Sequence, residues 1–246
     1  MDALDALTGL VRSETVAYQI GEDLGRIHDP TAIAVARVVR ETHRRERKDG
    51  PGVEDYTVYV FEVPFLQRLP LDQNYRAIGR RSAEIVSGVI DKADAEYRVL
   101  AQGFNPPPRP APVHLIADAT GVGQAVCDII AAELPTRCRV TYATLTAGRD
   151  ITGSLGDAMS VGKHALVSGL SAKLETDRIR IAKGAIDAEA LQAELRDFEM
   201  GMTTHGNVTT GAKAGAHDDL VIAVGLATCI DGSLGGAVGS VEMPWE

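Results

Sequence analysis

Three acidic motifs stand out along the chain: IGEDLG at 20–25, LIADATGVG at 115–123 and GAHDDLVIAVGLA at 215–227. Each sets a carboxylate at the border of an apolar run, where a strand end or a helix start would present it: Asp23, Asp118, and the adjacent pair Asp218 and Asp219. A carboxylate in apolar surroundings must shift its pKa or find a partner, because desolvating the charge is costly. A divalent cation is such a partner, and magnesium needs only one or two carboxylates beside water and a substrate phosphate. The chemistry suggested is metal-dependent hydrolysis of a phosphodiester. A hard, oxygen-only ligand set selects Mg2+ or Mn2+.

Other residues near these motifs have plainer readings. Glu22 alternates with Asp23 and should face the other side of its strand, in a structural role. Asp29, before Pro30, reads as a turn residue. His217 either positions a phosphate or an attacking water, or satisfies a local backbone group. The glycines of GVG at 121–123 serve either a phosphate at a helix N-terminus or a tight strand-to-helix turn. GDAMSVGKH at 156–164 is not a phosphate loop: five residues separate Gly156 from Gly162, and His164 follows Lys163.

Positioning such carboxylates takes strands and helices in a definite order. Residues 16–24 alternate, with Val16, Tyr18 and Ile20 on one face and Gln19, Gly21 and Asp23 on the other. An Asp-Pro turn then leads into a second strand within 28–39, and a third runs over 56–63. Between them, ETHRRERKDGPG reads as a polar excursion. Apolar positions at three- and four-residue steps make 75–97 an amphipathic helix. NPPPRPAP at 105–112 reads as a stiff connector. VHLIAD at 113–118 has the unbroken apolar character of a central parallel strand, followed by a helix and a strand at 139–145. That unit should be a right-handed crossover. Helices are expected at 158–170, 188–200 and 218–230, and a short strand at 178–182. One domain over 1–232, with its core at 16–230, and a flexible tail at 233–246 complete the expected organisation.

With 246 residues and 45% hydrophobic content, the chain can bury one sizeable core. Cys127, Cys138 and Cys229 lack metal-ligand spacing and sit in apolar stretches, as reduced structural thiols do. The start is acidic, and no apolar stretch nears the roughly 20 residues that cross a bilayer. A soluble, cytoplasmic protein without membrane contact is expected. The net charge of −9 opposes tight electrostatic binding of nucleic acid. The basic residues are nevertheless clustered, in the run 37–48 that includes Arg44 and Arg45, around Arg80, and at 178–183. The first run is either a solvated strand end or a phosphate-contacting surface.

Three antiparallel strands, a helix, then strand, helix, strand and a closing helix is the order of a ribonuclease H-like α/β domain: a mixed sheet with antiparallel then parallel strands and helices on both faces. Over about 18–230 the sequence resembles the nuclease domain of viral (phage) large terminases. The resemblance rests on GEDLG followed by DPTAIAV, IADATGVG after a long helix, VGKHALVSGL with RIRIA, and AHDDLVIAVGLA at the close. It implies an endonuclease that cuts concatemeric DNA during packaging by a two-ion mechanism, in which the ions activate water and stabilise the leaving oxygen. Asp23 would bridge both ions and Asp118 would be the second ligand. Asp218 or Asp219 would be the third; about 100° apart on a helix, they cannot serve one site equally. Asp219 is preferred, with Asp218 an additional group or a helix N-cap. Lys163 matches a basic residue of the family that would neutralise the scissile phosphate. Implied partners are double-stranded DNA and a packaging ATPase motor, portal or small terminase subunit, the host cell cytoplasm being the location if the gene is viral or prophage-encoded. The ATPase motor of a complete terminase is not visible in these motifs. Alternatives are a Holliday-junction resolvase-like nuclease, a non-catalytic docking module, and an actin-like nucleotide-binding lobe.

Overall fold

Alternation of apolar residues sets the strands, and the computed structural model joins eight of them into one sheet. It describes residues 9–25, 29–71, 73–102, 109–122, 124–202, 208–212 and 217–230. In chain order these form β1 (Leu10–Asp23), β2 (Ala32–Glu46), β3 (Val53–Arg68), α1 (Tyr75–Ala101), β4 (Val113–Asp118), α2 (Gln124–Glu133), β5 (Cys138–Thr146), β6 (Ile151–Gly153), β7 (Ala158–Gly162), α3 (Lys163–Glu175), β8 (Ile179–Ile181), α4 (Ala188–Asp197), β9 (Phe198–Met202), β10 (Val208–Ala212) and α5 (Asp219–Thr228).

The sheet order is β6-β7-β5-β4-β1-β2-β3-β8, with β9 and β10 forming a separate hairpin. β1, β2 and β3 are antiparallel, whereas β4, β5 and β7 continue from β1 in parallel. β8 adds in parallel at the outer edge of β3. One face carries Tyr18, Ile20, Leu115 and Ala117 beneath α1 and α2. The other carries Ala17, Ala32, Ala34 and Ala36 beneath α3, α4 and α5. Helices therefore cover both faces, as the sequence order predicts. Every residue of α5 is buried, in keeping with a helix that is apolar all round.

Four details depart from expectation. The first half of the polar excursion is strand, because β2 runs on to Glu46, and β3 starts directly after it at Val53. Cross-strand pairs Arg44–Asp55 and Arg45–Glu54, with Tyr56 against both His43 and Arg45, hold that polar arm together. Residues 158–162 form β7 rather than helix: Met159 and Val161 alternate inward between β5 and β6. At 198 the expected helix gives way to β9, which pairs with β10. Val16 packs with Ala17 on the α5 face instead of beside Tyr18, because the register shifts between Thr15 and Ala17. The first half of the Pro-rich connector, 105–108, and all of the tail at 233–246 lie outside the described residues.

Candidate active site

β1 and β4 are parallel neighbours whose register pairs Asp23 with Asp118. Two carboxylates therefore stand side by side at the carboxyl ends of the central strands, about 5 Å apart at their backbones. This edge is where open α/β sheets place ligands. The third carboxylate arrives on α5, which runs back along β1. Gln19 donates its side-chain amide to the Ile230 carbonyl at 3.0 Å. Beside Gly21, a Cβ would come within 2.0 Å of the Ala223 carbonyl and 2.5 Å of the Ala227 nitrogen. Only glycine allows this approach. One turn ahead of Ala223, Asp219 then stands over Asp23.

The charges register the crowding. Burial, followed by the charges of Asp118, Asp219 and Asp218, pushes the Asp23 carboxyl well above the usual carboxylate range, and Lys163 opposes the shift. Lys163 is the first residue of α3, whose start is fixed where Gly162 passes close to the Gly148 backbone. The structure thus brings Asp23, Asp118, Asp218, Asp219 and Lys163 together. The Thr120 N–H donates to Asp118 Oδ1 at 2.8 Å, fixing that carboxylate, and the Thr120 hydroxyl accepts from the Leu145 N–H. Asp218 occupies the capping position of α5 but makes no capping hydrogen bond, so the simple N-cap alternative does not hold.

Asp219 is 6% exposed and its Oδ2 has no hydrogen bond. Arg68 Nε lies 3.3 Å from that oxygen, and His217 Nδ1, on a half-exposed ring, 3.5 Å. Burial raises the Asp219 pKa, while Arg68 and His217 pull it partly back. Sequence reasoning missed the support behind this residue. Glu194 of α4, 7% exposed, accepts from the Leu220 and Val221 N–H groups at 3.0 and 3.1 Å. A carboxylate from another helix thus caps α5. Its other oxygen holds the Arg68 guanidinium. The signal available in the sequence was an acidic residue lodged in the apolar stripe of Leu191, Leu195 and Phe198.

The remaining candidates fall elsewhere. β2 begins opposite Asp23 and runs away from it, so Arg44 and Arg45 lie roughly 40 Å along the strand at about 3.3 Å per residue. Both are engaged with Asp55 and Glu54. Arg80 is exposed on α1, beside Glu133 of α2, on the opposite face of the sheet from α5. Glu22 faces α1 as expected; it is fully buried and accepts from the Ser82 hydroxyl at 2.7 Å. Burial pushes its carboxyl up to about 7, against the opposing pull of Ser82.

The donor chemistry fits a hard divalent cation: Asp23, Asp118 and Asp219 offer only oxygens, and one of these, Asp219 Oδ2, is buried without a hydrogen bond. Among the described residues, no three His, Cys, Asp or Glu side chains are already gathered around one ion-sized point. Like-charge repulsion accounts for a set that is adjacent yet not closed.

A mixed sheet of this order, with carboxylates at the ends of its first and fourth strands and on its closing helix, defines a ribonuclease H-like domain. A family model described as the terminase RNase H-like domain matches residues 89–230, more than half of the chain, and the chain belongs to that family. The matched span takes in Asp118, Lys163, Asp218 and Asp219, while Asp23 precedes it. Among solved structures, the large terminase nuclease from thermophilic phage G20c with bound magnesium is 18% identical, with 86% of this chain and 79% of that one covered, at a TM-score of 0.46. The Thermus phage P74-26 large terminase nuclease domain is 15% identical, covering 87% and 81%, at 0.46. The g2p large terminase nuclease domain of bacteriophage SPP1 with bound Mn is 14% identical, covering 86% and 84%, at 0.44. No curated protein matches the chain. Among the described residues, no helix is long and apolar enough to cross a membrane.

Proposed function

We propose that the chain is a metal-dependent endonuclease that hydrolyses DNA phosphodiesters at Asp23, Asp118 and Asp219, as the cutting half of a packaging terminase. The observation that carries this reading is the register of β1 with β4, which sets Asp23 beside Asp118 where α5 delivers Asp219. Two Mg2+ or Mn2+ ions held there would supply Lewis-acid stabilisation and an activated water. Asp23, which feels the charges of Asp118, Asp219 and Asp218, would be a ligand common to both. Asp118, its plane fixed by Thr120, and Asp219, held by α5, flank it.

Lys163 neutralises the scissile phosphate, since its ammonium already offsets negative charge at Asp23. His217, exposed at the mouth, orients a phosphate oxygen or the attacking water. Double-stranded DNA is the substrate, and a packaging ATPase motor, portal or small terminase subunit brings it to the site. With a net charge of −9, binding by the chain alone is weak and salt-sensitive.

The test is cutting of supercoiled plasmid and of a four-way junction with Mg2+, Mn2+ or chelator, comparing wild type with Asp23→Ala and Asp219→Ala. Plasmid cutting that requires metal and disappears in both folded variants is expected. Full activity in chelator refutes the metal chemistry, and strict preference for the junction moves the assignment to a resolvase.

A further inference from the structure

Arg68, at the end of β3, is held from three sides. Its backbone N–H donates to Asp187 Oδ2 at 2.6 Å, which pins the strand end to the start of α4. Its guanidinium grips Glu194 Oε1 through one terminal nitrogen. Its Nε lies 3.3 Å from Asp219 Oδ2, yet neither atom has a hydrogen bond. The Glu194 contact is therefore an anchor, and the Asp219 contact is an unaligned Coulombic one. Glu194 in turn does not depend on Arg68 for its place, because its second oxygen is locked by two backbone N–H groups of α5.

From this geometry we propose that Arg68 is a positioning residue that serves as the counter-cation of Asp219 in the metal-free protein, and that a divalent ion takes over that carboxylate oxygen while Arg68 stays on Glu194. The inference rests on the metal-binding reading above and adds a role to a residue outside the carboxylate set. Its physical content is a competition. A poorly aligned ion pair is easily exchanged, whereas the doubly bound Glu194 gives the displaced guanidinium somewhere to remain. The arrangement keeps a buried carboxylate from standing unpaired before metal arrives. It also lowers metal affinity, because a fixed positive charge stays near the ion.

Two substitutions should move affinity in opposite directions, which a merely structural network would not do. Arg68→Gln removes the competing charge and should bind Mn2+ more tightly, by roughly threefold or more for one like charge at this range. Glu194→Gln weakens the anchor, leaves Arg68 to Asp219, and should bind Mn2+ more weakly. Arg68→Lys keeps the charge and should stay near wild type. The measurement is Mn2+ titration of the 246-residue chain, read by the electron paramagnetic resonance of free Mn2+, with circular dichroism to confirm folding. Equal or weaker binding by Arg68→Gln, or a shift of both variants in one direction, overturns the proposal. If Arg68→Gln does not fold, a loss of affinity in Glu194→Gln with Arg68→Lys unchanged supports it, and tighter binding by Glu194→Gln refutes it. If wild type itself binds no Mn2+, the metal-binding reading fails with it; if wild type binds and the variants do not split, only the role of Arg68 fails.

Discussion

Replacing Glu22 with Gln should stabilise the protein at alkaline pH and do little at acid pH. The Glu22 carboxyl is fully buried against α1, and its pKa rises from 4.5 to about 7. Between those values the native state keeps a proton that the unfolded state has released. The unfolded chain thus binds fewer protons, so stability falls as pH rises through the window, and the loss is complete above about 7. At 1.36 kcal/mol per pH unit the cost of ionising Glu22 in place is about 3 kcal/mol. Gln has the shape of the protonated acid and never ionises. The charges that shift Asp23 belong to Asp118, Asp219, Asp218 and Lys163, so subtracting wild type from Glu22→Gln cancels the pH dependence of the carboxylate cluster. The assay is urea unfolding of both proteins in chelator at about pH 5 and about pH 8. The gap in favour of Glu22→Gln should widen by about 2.5 kcal/mol between the two, since a little under 1 kcal/mol is already lost at pH 5, above the unfolded pKa. A gap of equal size at both pH values would refute the reasoning, because Glu22 would then ionise alike in the folded and unfolded chains.

Further outcomes follow from the same geometry. Gly21→Ala should cost about 3 kcal/mol, the upper end for overpacking, since its Cβ would strike the α5 backbone; thermal melting reads this. Asp23→Asn should raise the melting temperature of the metal-free protein near neutral pH, because it removes a charge that burial and then its neighbours disfavour, and should erase any stabilisation by Mn2+. Lys163→Gln should slow metal-dependent plasmid cutting by roughly a hundred- to a thousandfold at saturating metal, the range for losing one transition-state contact. Arg45→Ala, altered at the far end of β2, should leave the cutting rate within about twofold, as a surface change remote from the site.

The fold was largely legible because its strands and helices carry the two simple periods. Tyr18 and Ile20 alternating with Gln19 and Gly21 gave both the strand and the side from which Asp23 points. VHLIAD has the unbroken apolar character of a strand covered on both faces, and all six of its residues are buried. The misread segments have local causes. Ala158 to Gly162 offers two inward residues directly before a true helix, too short a run to separate the periods. The hairpin arm looked like a loop because its strands are paired by charges instead of apolar side chains. Asp23, Asp118, Asp218 and Asp219 were singled out through motifs and Lys163 through the family resemblance. The support given by Arg68 and Glu194 was not, because it joins residues 126 apart through charge complementarity that leaves no periodic trace. Nor could composition tell that Arg44 and Arg45 would be spent on Asp55 and Glu54.

The contact between Gly21 and α5 also fixes an order of events. It joins the first strand of the sheet to its closing helix, so the carboxylate group is assembled from sequence positions about 200 residues apart. Such long-range closures come late in folding, after local elements have formed. On the ribosome, β1 through β5 can emerge and pair while Asp219 has yet to be made. A nascent or truncated chain that stops short of α5 carries Asp23 and Asp118 without their third partner. Translation itself therefore withholds the complete cluster until every strand of the sheet has been synthesised.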